Sequence, residues 1–164
     1  LIFAGDQRAA HSVLFWTLGG LGLASWKVLP IAFTGLVAIS ILAISTHRSL
    51  DALLAGDDAA TTLGVNVRRY RQLAFLACAF ATASFVALTG VIGFVGLMVP
   101  HLARGLVGSL HQSLLITSAI IGAALLLASD IAGRTLLAPQ ELPIGVLTTS
   151  IGAIFVLFLV RKAA

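Results

Sequence analysis

Three stretches of this chain, residues 28–46, 112–129 and 142–160, contain no Asp, Glu, Lys or Arg over 18 or 19 residues each. An α-helix rises about 1.5 Å per residue and the hydrocarbon core of a bilayer is about 30 Å thick, so each stretch matches one crossing. A fourth stretch, residues 72–99, holds 28 uncharged residues. As one straight helix it would be about 42 Å long, too long for a single passage. The sequence supplies a break, because Thr89-Gly90 is followed by Gly93 and Gly96. The pattern predicts spans over 28–46, 72–89, 112–130 and 142–160, with a glycine-rich turn and a short helix over 94–107 after the second. That short helix carries Pro100, His101 and Arg104. A charge at membrane depth is tolerated only against protein or water, so the helix should pack inside the bundle or near an interface. The expected fold class is all-α: a polytopic transmembrane helix bundle with about four full spans plus a short broken helix.

Composition supports this. Of 164 residues, 59% are hydrophobic and 10% are charged, against about 25% charged in soluble domains. Mean hydropathy is +1.08. A water-soluble globule is excluded, and so is disorder, which needs low hydrophobicity and high net charge. The formal charge of +4 comes from basic residues scattered between apolar runs, which reads as membrane flanks rather than a nucleic-acid surface. Cys78 stands alone and cannot form an internal disulfide. Residue 1 is Leu and Leu1-Ile2-Phe3-Ala4 resembles the tail of an apolar segment, so the chain is expected to be the C-terminal part of a longer membrane domain. Residues 1–27 are expected to hold the end of a span plus a periplasmic interfacial segment, with Trp16 and Trp26 in the outer aromatic belt.

Lys and Arg placement gives an orientation. With the polar loop 47–71 inside and the short helix crossing, Arg48, Arg68, Arg69, Arg71, Arg104, Arg161 and Lys162 lie inside and Arg8, Lys27 and Arg134 outside. That is seven against three. Without the crossing the count is five against five, so the first arrangement is preferred and puts the C-terminus in the cytoplasm.

The loop 47–71 is the most informative segment. Asp57 or Asp58 suits the N-cap of a short helix, and Gly64 suits its C′ position. Ala59 and Ala60 between them leave a low profile that another protein's groove could approach, and Arg68, Arg69, Tyr70 and Arg71 follow. On spacing alone two readings stand: a polar connector with ordinary positive-inside arginines, or a docking helix. Asp130 and Arg134, four residues apart, could form a simple helical ion pair. Pro100, His101 and Arg104 lack a second His, Cys or carboxylate at ligand spacing, so packing is favoured over a metal site. No nucleophile motif, paired carboxylates or phosphate loop is found, so no metal, cofactor or catalytic residue is expected.

Asp58-Ala59-Ala60 with Gly64 resembles a variant of the cytoplasmic EAA loop of ABC importer permeases. The blocks Gly90-Val-Ile-Gly-Phe-Val-Gly-Leu-Met-Val-Pro-His-Leu-Ala-Arg104, Asp130-Ile-Ala-Gly-Arg134 and Glu141-Leu-Pro-Ile-Gly-Val146 follow in an order and spacing similar to the C-terminal half of the FecCD/BtuC family, the iron-siderophore, heme and vitamin B12 permeases. Asp58 stands where many importers have Glu. The resemblance implies a BtuC-like type II ABC importer subunit in the bacterial inner membrane. It would pair with a second permease subunit, two cytoplasmic ATPases that hydrolyse the ATP, and a periplasmic or lipid-anchored substrate-binding protein. It assigns ATPase coupling to Asp57, Asp58, Ala59, Ala60, Gly64, Arg68 and Arg69, and binding-protein docking to Arg134. The helix break and gating fall to Gly90, Gly93 and Pro100. The competing reading is an ion-coupled secondary transporter using His101, Asp130 and Arg134 as intramembrane charges. An intramembrane protease would need a nucleophile and base pair that cannot be identified.

Overall fold

The computed structural model describes residue 13 and residues 16–22, 24–136 and 142–163; the expectations for residues 1–12 and for Glu141 lie outside the described residues. The described residues form α1 (Leu29–Leu53), α2 (Asp57–Thr62), α3 (Val67–Thr89), α4 (Val95–Val107), α5 (His111–Thr135) and α6 (Ile144–Ala163). Among them there is no strand. By length and composition α1, α3, α5 and Ile144–Lys162 of α6 can each cross a membrane. Large apolar side chains on all four, including Ile44, Phe75, Ile120 and Leu157, are exposed. Such a surface suits lipid or partner helices rather than water.

Helix ends follow hydrogen bonding rather than charge. α1 opens with a proline in its first turn, where no N–H partner is needed. It runs on past residue 46 through His47, Arg48 and Asp51, because a charge ends an apolar run without ending the backbone ladder. Its end tightens into i−3 bonds, Leu54 N–H to Asp51 O (3.1 Å), Ala55 to Ala52 (3.1 Å) and Gly56 to Leu53 (3.2 Å). α3 starts at Val67 rather than 72 because Asn66 caps it, its Oδ1 accepting from Arg69 N–H at 3.1 Å, as an N-cap side chain does for the third helical N–H. Arg68, Arg69 and Arg71 therefore belong to a helix. α5 continues past residue 129 and carries Asp130 and Arg134 in its last turns.

The expected break after residue 89 is present. Gly90 has φ +68°, and its N–H closes the last helical bond to Val86 O at 2.9 Å. Four residues later Phe94 takes φ +64°, a conformation that costs an aromatic residue about 1–3 kcal/mol. Its carbonyl then accepts from Leu97 N–H (3.1 Å) and Met98 N–H (2.9 Å) to begin α4. Gly108, at φ +80°, ends α4 with a bond from its N–H to Arg104 O at 3.0 Å.

The chain divides into two compact units. One comprises Ser25–Phe85 and Pro100–Ile120. Within it α1 and α3 approach closely where Gly35 faces Ser84 and Ala81; a Cβ at Gly35 would stand 3.1 Å from that of Ser84. Small residues at such crossings let backbones meet in a membrane. The other comprises Leu1–Ala24, Val86–Val99 and Ile121–Ala164. There the loop through Gly19 and Gly20 lies against the helix break, Gly20 N–H bonding Thr89 O at 2.7 Å and Gly145 N–H bonding Gly19 O at 3.2 Å. Trp16 Nε1 donates to Ala87 O at 3.4 Å, while Trp26 is 88% exposed. Met98, Val99, Ile144 and Thr148 are buried in this unit.

Candidate coupling and docking sites

α2 follows α1 after three residues and packs back on it. The expected N-cap is corrected: Gly56, at φ 99°, takes that place, and Asp57 and Asp58 lie in the first turn without a capping bond. Gly56 O still receives the first helical bond, from Ala60 N–H at 3.0 Å. The two carboxylates act through their charge at the positive end of the helix. At the other end Gly64, φ +80°, occupies C′. Its N–H bonds Thr61 O at 2.9 Å and Val65 N–H bonds Ala60 O at 3.0 Å, the paired closure of a Schellman motif.

The two alanines have different surroundings. Ala60 is fully buried, whereas Ala59 is half-buried. Leu54 and Leu63 flank α2 and are 54% and 71% exposed. They are apolar knobs on a polar segment, and only the pattern of buried and exposed neighbours singles them out. Arg71 reaches from α3 to Asp57, Nη2 to Oδ1 at 2.8 Å, with both side chains more than half exposed. A pair this exposed adds little stability. Gly64→Val, with nothing near its Cβ position, tests backbone conformation alone: the αL requirement should destabilise the α2 end by about 1–2 kcal/mol. Faster amide exchange at Val65 would report that loss.

A contact absent from the sequence reading joins α1 to α5. Asp51 Oδ1 accepts from His111 N–H at 2.7 Å and from His111 Nδ1 at 2.8 Å. The two side chains are 25% and 23% exposed. Since a carboxylate only accepts, the ring bond requires a hydrogen on His111 Nδ1. Hydrogen bonds to a charged group contribute about 1.5–3 kcal/mol when shielded.

At the break, a Cβ on Gly90 would collide with the Trp16 carbonyl oxygen, and one on Gly152 of α6 would collide with the Phe94 side chain; at Gly93 it would meet Thr149 Oγ1 at 3.2 Å. Pro100 sits inside α4, and His101 and Arg104 are exposed. Gly152→Leu should displace the Phe94 ring and lower stability by about 1–3 kcal/mol as an overpacked contact does, read as a lower Tm.

Asp130 and Arg134 are paired in α5, Nε to Oδ2 at 3.0 Å. The guanidinium is 48% exposed and the carboxylate 20%. The bond uses one edge of a group that has five N–H donors.

The model of the FecCD transport family matches residues 1–162. The hemin transport system permease protein HmuU of Yersinia pestis is 40% identical over 99% of this chain and 48% of its own length. The vitamin B12 import system permease protein BtuC of Vibrio parahaemolyticus is 41% identical over 98% of this chain and 48% of its own. The Fe(3+) dicitrate transport system permease protein FecD of Escherichia coli K12 is 43% identical over 92% and 48%. A solved structure described as an inward-facing conformation of a metal-chelate type ABC transporter superposes with a TM-score of 0.85 at 38% identity, covering 96% of this chain and 51% of that one. The chain spans about half the length of the curated relatives it matches. By its family match and its membrane-length helices, the chain belongs to the FecCD transport family.

Proposed function

We propose that this chain forms part of the membrane-spanning permease subunit of an ABC importer in the bacterial inner membrane, carrying an iron-siderophore or a related iron chelate, heme or cobalamin. Substrate passes from a binding protein to the cytoplasm by alternating access, and ATP is hydrolysed in a separate ATPase subunit. The observation that carries the reading is α2: a short helix closed at both ends by positive-φ glycines, packed on the end of α1 with Ala60 fully buried, and flanked by exposed Leu54 and Leu63. A compact, stiff element with an apolar rim suits a groove in an ATPase. Asp57, Asp58, Ala59, Ala60, Gly64, Arg68 and Arg69 form this coupling segment. Gly90 and Gly93 set the hinge between α3 and α4, and Pro100, inside α4, belongs to the gating segment. Two permease subunits and two ATPases complete the assembly.

In this reading Arg134 faces the periplasm and docks an acidic residue of the binding protein, with Asp130 holding Nε and leaving the outer edge of the guanidinium to the partner. Such a rim contact governs orientation and encounter rate. Arg134→Glu should weaken binding-protein docking by about tenfold or more in surface-plasmon titration, as losing a charge-assisted hydrogen bond would. A compensating acid-to-arginine change on the partner should restore it. Unchanged docking would leave only the local pair with Asp130.

The topology is tested by reporters on the full-length chain. A fusion after Ser109 belongs in the cytoplasm and one after Pro139 in the periplasm, with the C-terminus cytoplasmic. The reverse pattern would sink the coupling assignment, because α2 would then face away from any ATPase.

A further inference from the structure

We propose that Asp51 and His111 form a transmission clasp that carries movement of α2 into α5. This proposal rests on the coupling role of α2 given above. Asp51 lies two residues before the end of α1, and the backbone bonds from Leu54, Ala55 and Gly56 back into α1 leave no slack before α2 begins. A displacement of α2 therefore pulls on the α1 turn that holds Asp51. Across the clasp, His111 is the first residue of α5. Leu110 precedes it and its carbonyl accepts the first helical bond, from Leu114 N–H at 3.0 Å. A leucine offers no side-chain oxygen to the open N–H groups at that helix start. The carboxylate sixty residues earlier supplies one instead, and the ring bond of His111 at 2.8 Å fixes its direction.

The clasp is thus the cap of α5, held by the helix that leads into α2. Covalent continuity takes α2's motion only to α1 and α3. The two bonds on a single oxygen extend it to a third helix, whose far turns carry Asp130 and Arg134. His47 and Arg48, on the same part of α1, are the nearest charged or titratable side chains along that helix.

The test uses the full-length permease with its ATPase and binding protein in liposomes, with hemin, ferric dicitrate and cyanocobalamin each offered as the probe. The quantity read is probe taken up per ATP hydrolysed. Asp51→Ala should lower that ratio about tenfold, the loss expected when a hydrogen bond to a charged group goes, with basal hydrolysis within about twofold of wild type. Asp51→Asn keeps an acceptor oxygen in place and should stay close to wild type. A purely structural role would reduce the amount of assembled complex and leave the ratio of what remains unchanged, which would overturn the clasp. Equal losses in Asp51→Ala and Asp51→Asn would also overturn it. Should Asp51→Ala not assemble, His111→Ala carries the test: it retains the backbone bond, and the ratio should fall by a smaller factor, with no fall counting against the clasp. Ala59→Arg, measured alongside, separates the two ideas. If it uncouples and the Asp51 variants do not, the clasp fails alone; if it does not uncouple, the coupling role of α2 fails and takes the clasp with it.

Discussion

Ala59→Arg in the full-length permease is expected to cut substrate uptake by about tenfold or more while the ATPase retains its basal turnover, a loss in the range of ordinary coupling free energies. Ala59 is half-buried on α2, beside the fully buried Ala60 and between exposed Leu54 and Leu63. An arginine there leaves the inward face of α2 intact and places a long charged side chain where an ATPase groove would have to close. Ala60→Arg is a different experiment. Ala60 has no exposed surface, so an arginine has no room there and should reduce the amount of folded protein. Uptake assays on size-exclusion-purified complexes distinguish the two. Wild-type uptake by Ala59→Arg would remove the basis of the coupling role.

The second large effect is expected at the helix break. Gly90→Val combines a positive φ of +68° with a Cβ position already occupied by the Trp16 carbonyl oxygen. The left-handed conformation costs about 1–2 kcal/mol for a residue with a Cβ, and forced overpacking about 1–3 kcal/mol more. Backbone on the opposing side cannot swing away as a side chain would, so we expect a large drop in Tm and little intact complex. Gly105→Ala is the control. It lies in α4 with open space around its Cβ position and no positive φ, and alanine should be neutral or stabilising there by about 0.5–1 kcal/mol. Similar Tm values for the two variants would contradict the geometry of the break.

Much of this architecture is legible from uncharged run lengths, because a bilayer fixes how long an apolar helix can be. The break at Gly90 follows from that arithmetic, and the positive φ at Gly64 from helix-ending chemistry. The ends of α1 and α3 are less legible. His47, Arg48 and Asp51 interrupt hydropathy, yet the backbone ladder runs on to Leu53. Asn66, a good capping residue, starts α3 five residues before the apolar run. Asp57 and Asp58 attract attention as caps, but Gly56 takes that position because its φ of 99° is open to glycine and poor for aspartate. The Asp51–His111 contact cannot be read along the chain, since sixty residues separate its partners. The positive φ at Phe94 carries no sequence signal either, since aromatic residues rarely adopt it. The spacing of Asp130 and Arg134 allows both a local contact and a docking role; the local bond is present at 3.0 Å, and it leaves the docking role to the Arg134→Glu experiment.

ATP-driven import is tested by uptake into liposomes holding the full-length permease and its ATPase, with binding protein and hemin, ferric dicitrate or cyanocobalamin outside and ATP enclosed. At least one of these probes should accumulate in a way that requires both ATP and binding protein and persists when proton and sodium gradients are collapsed. Uptake that proceeds without ATP and stops when an ion gradient is removed would contradict it and favour ion-coupled transport.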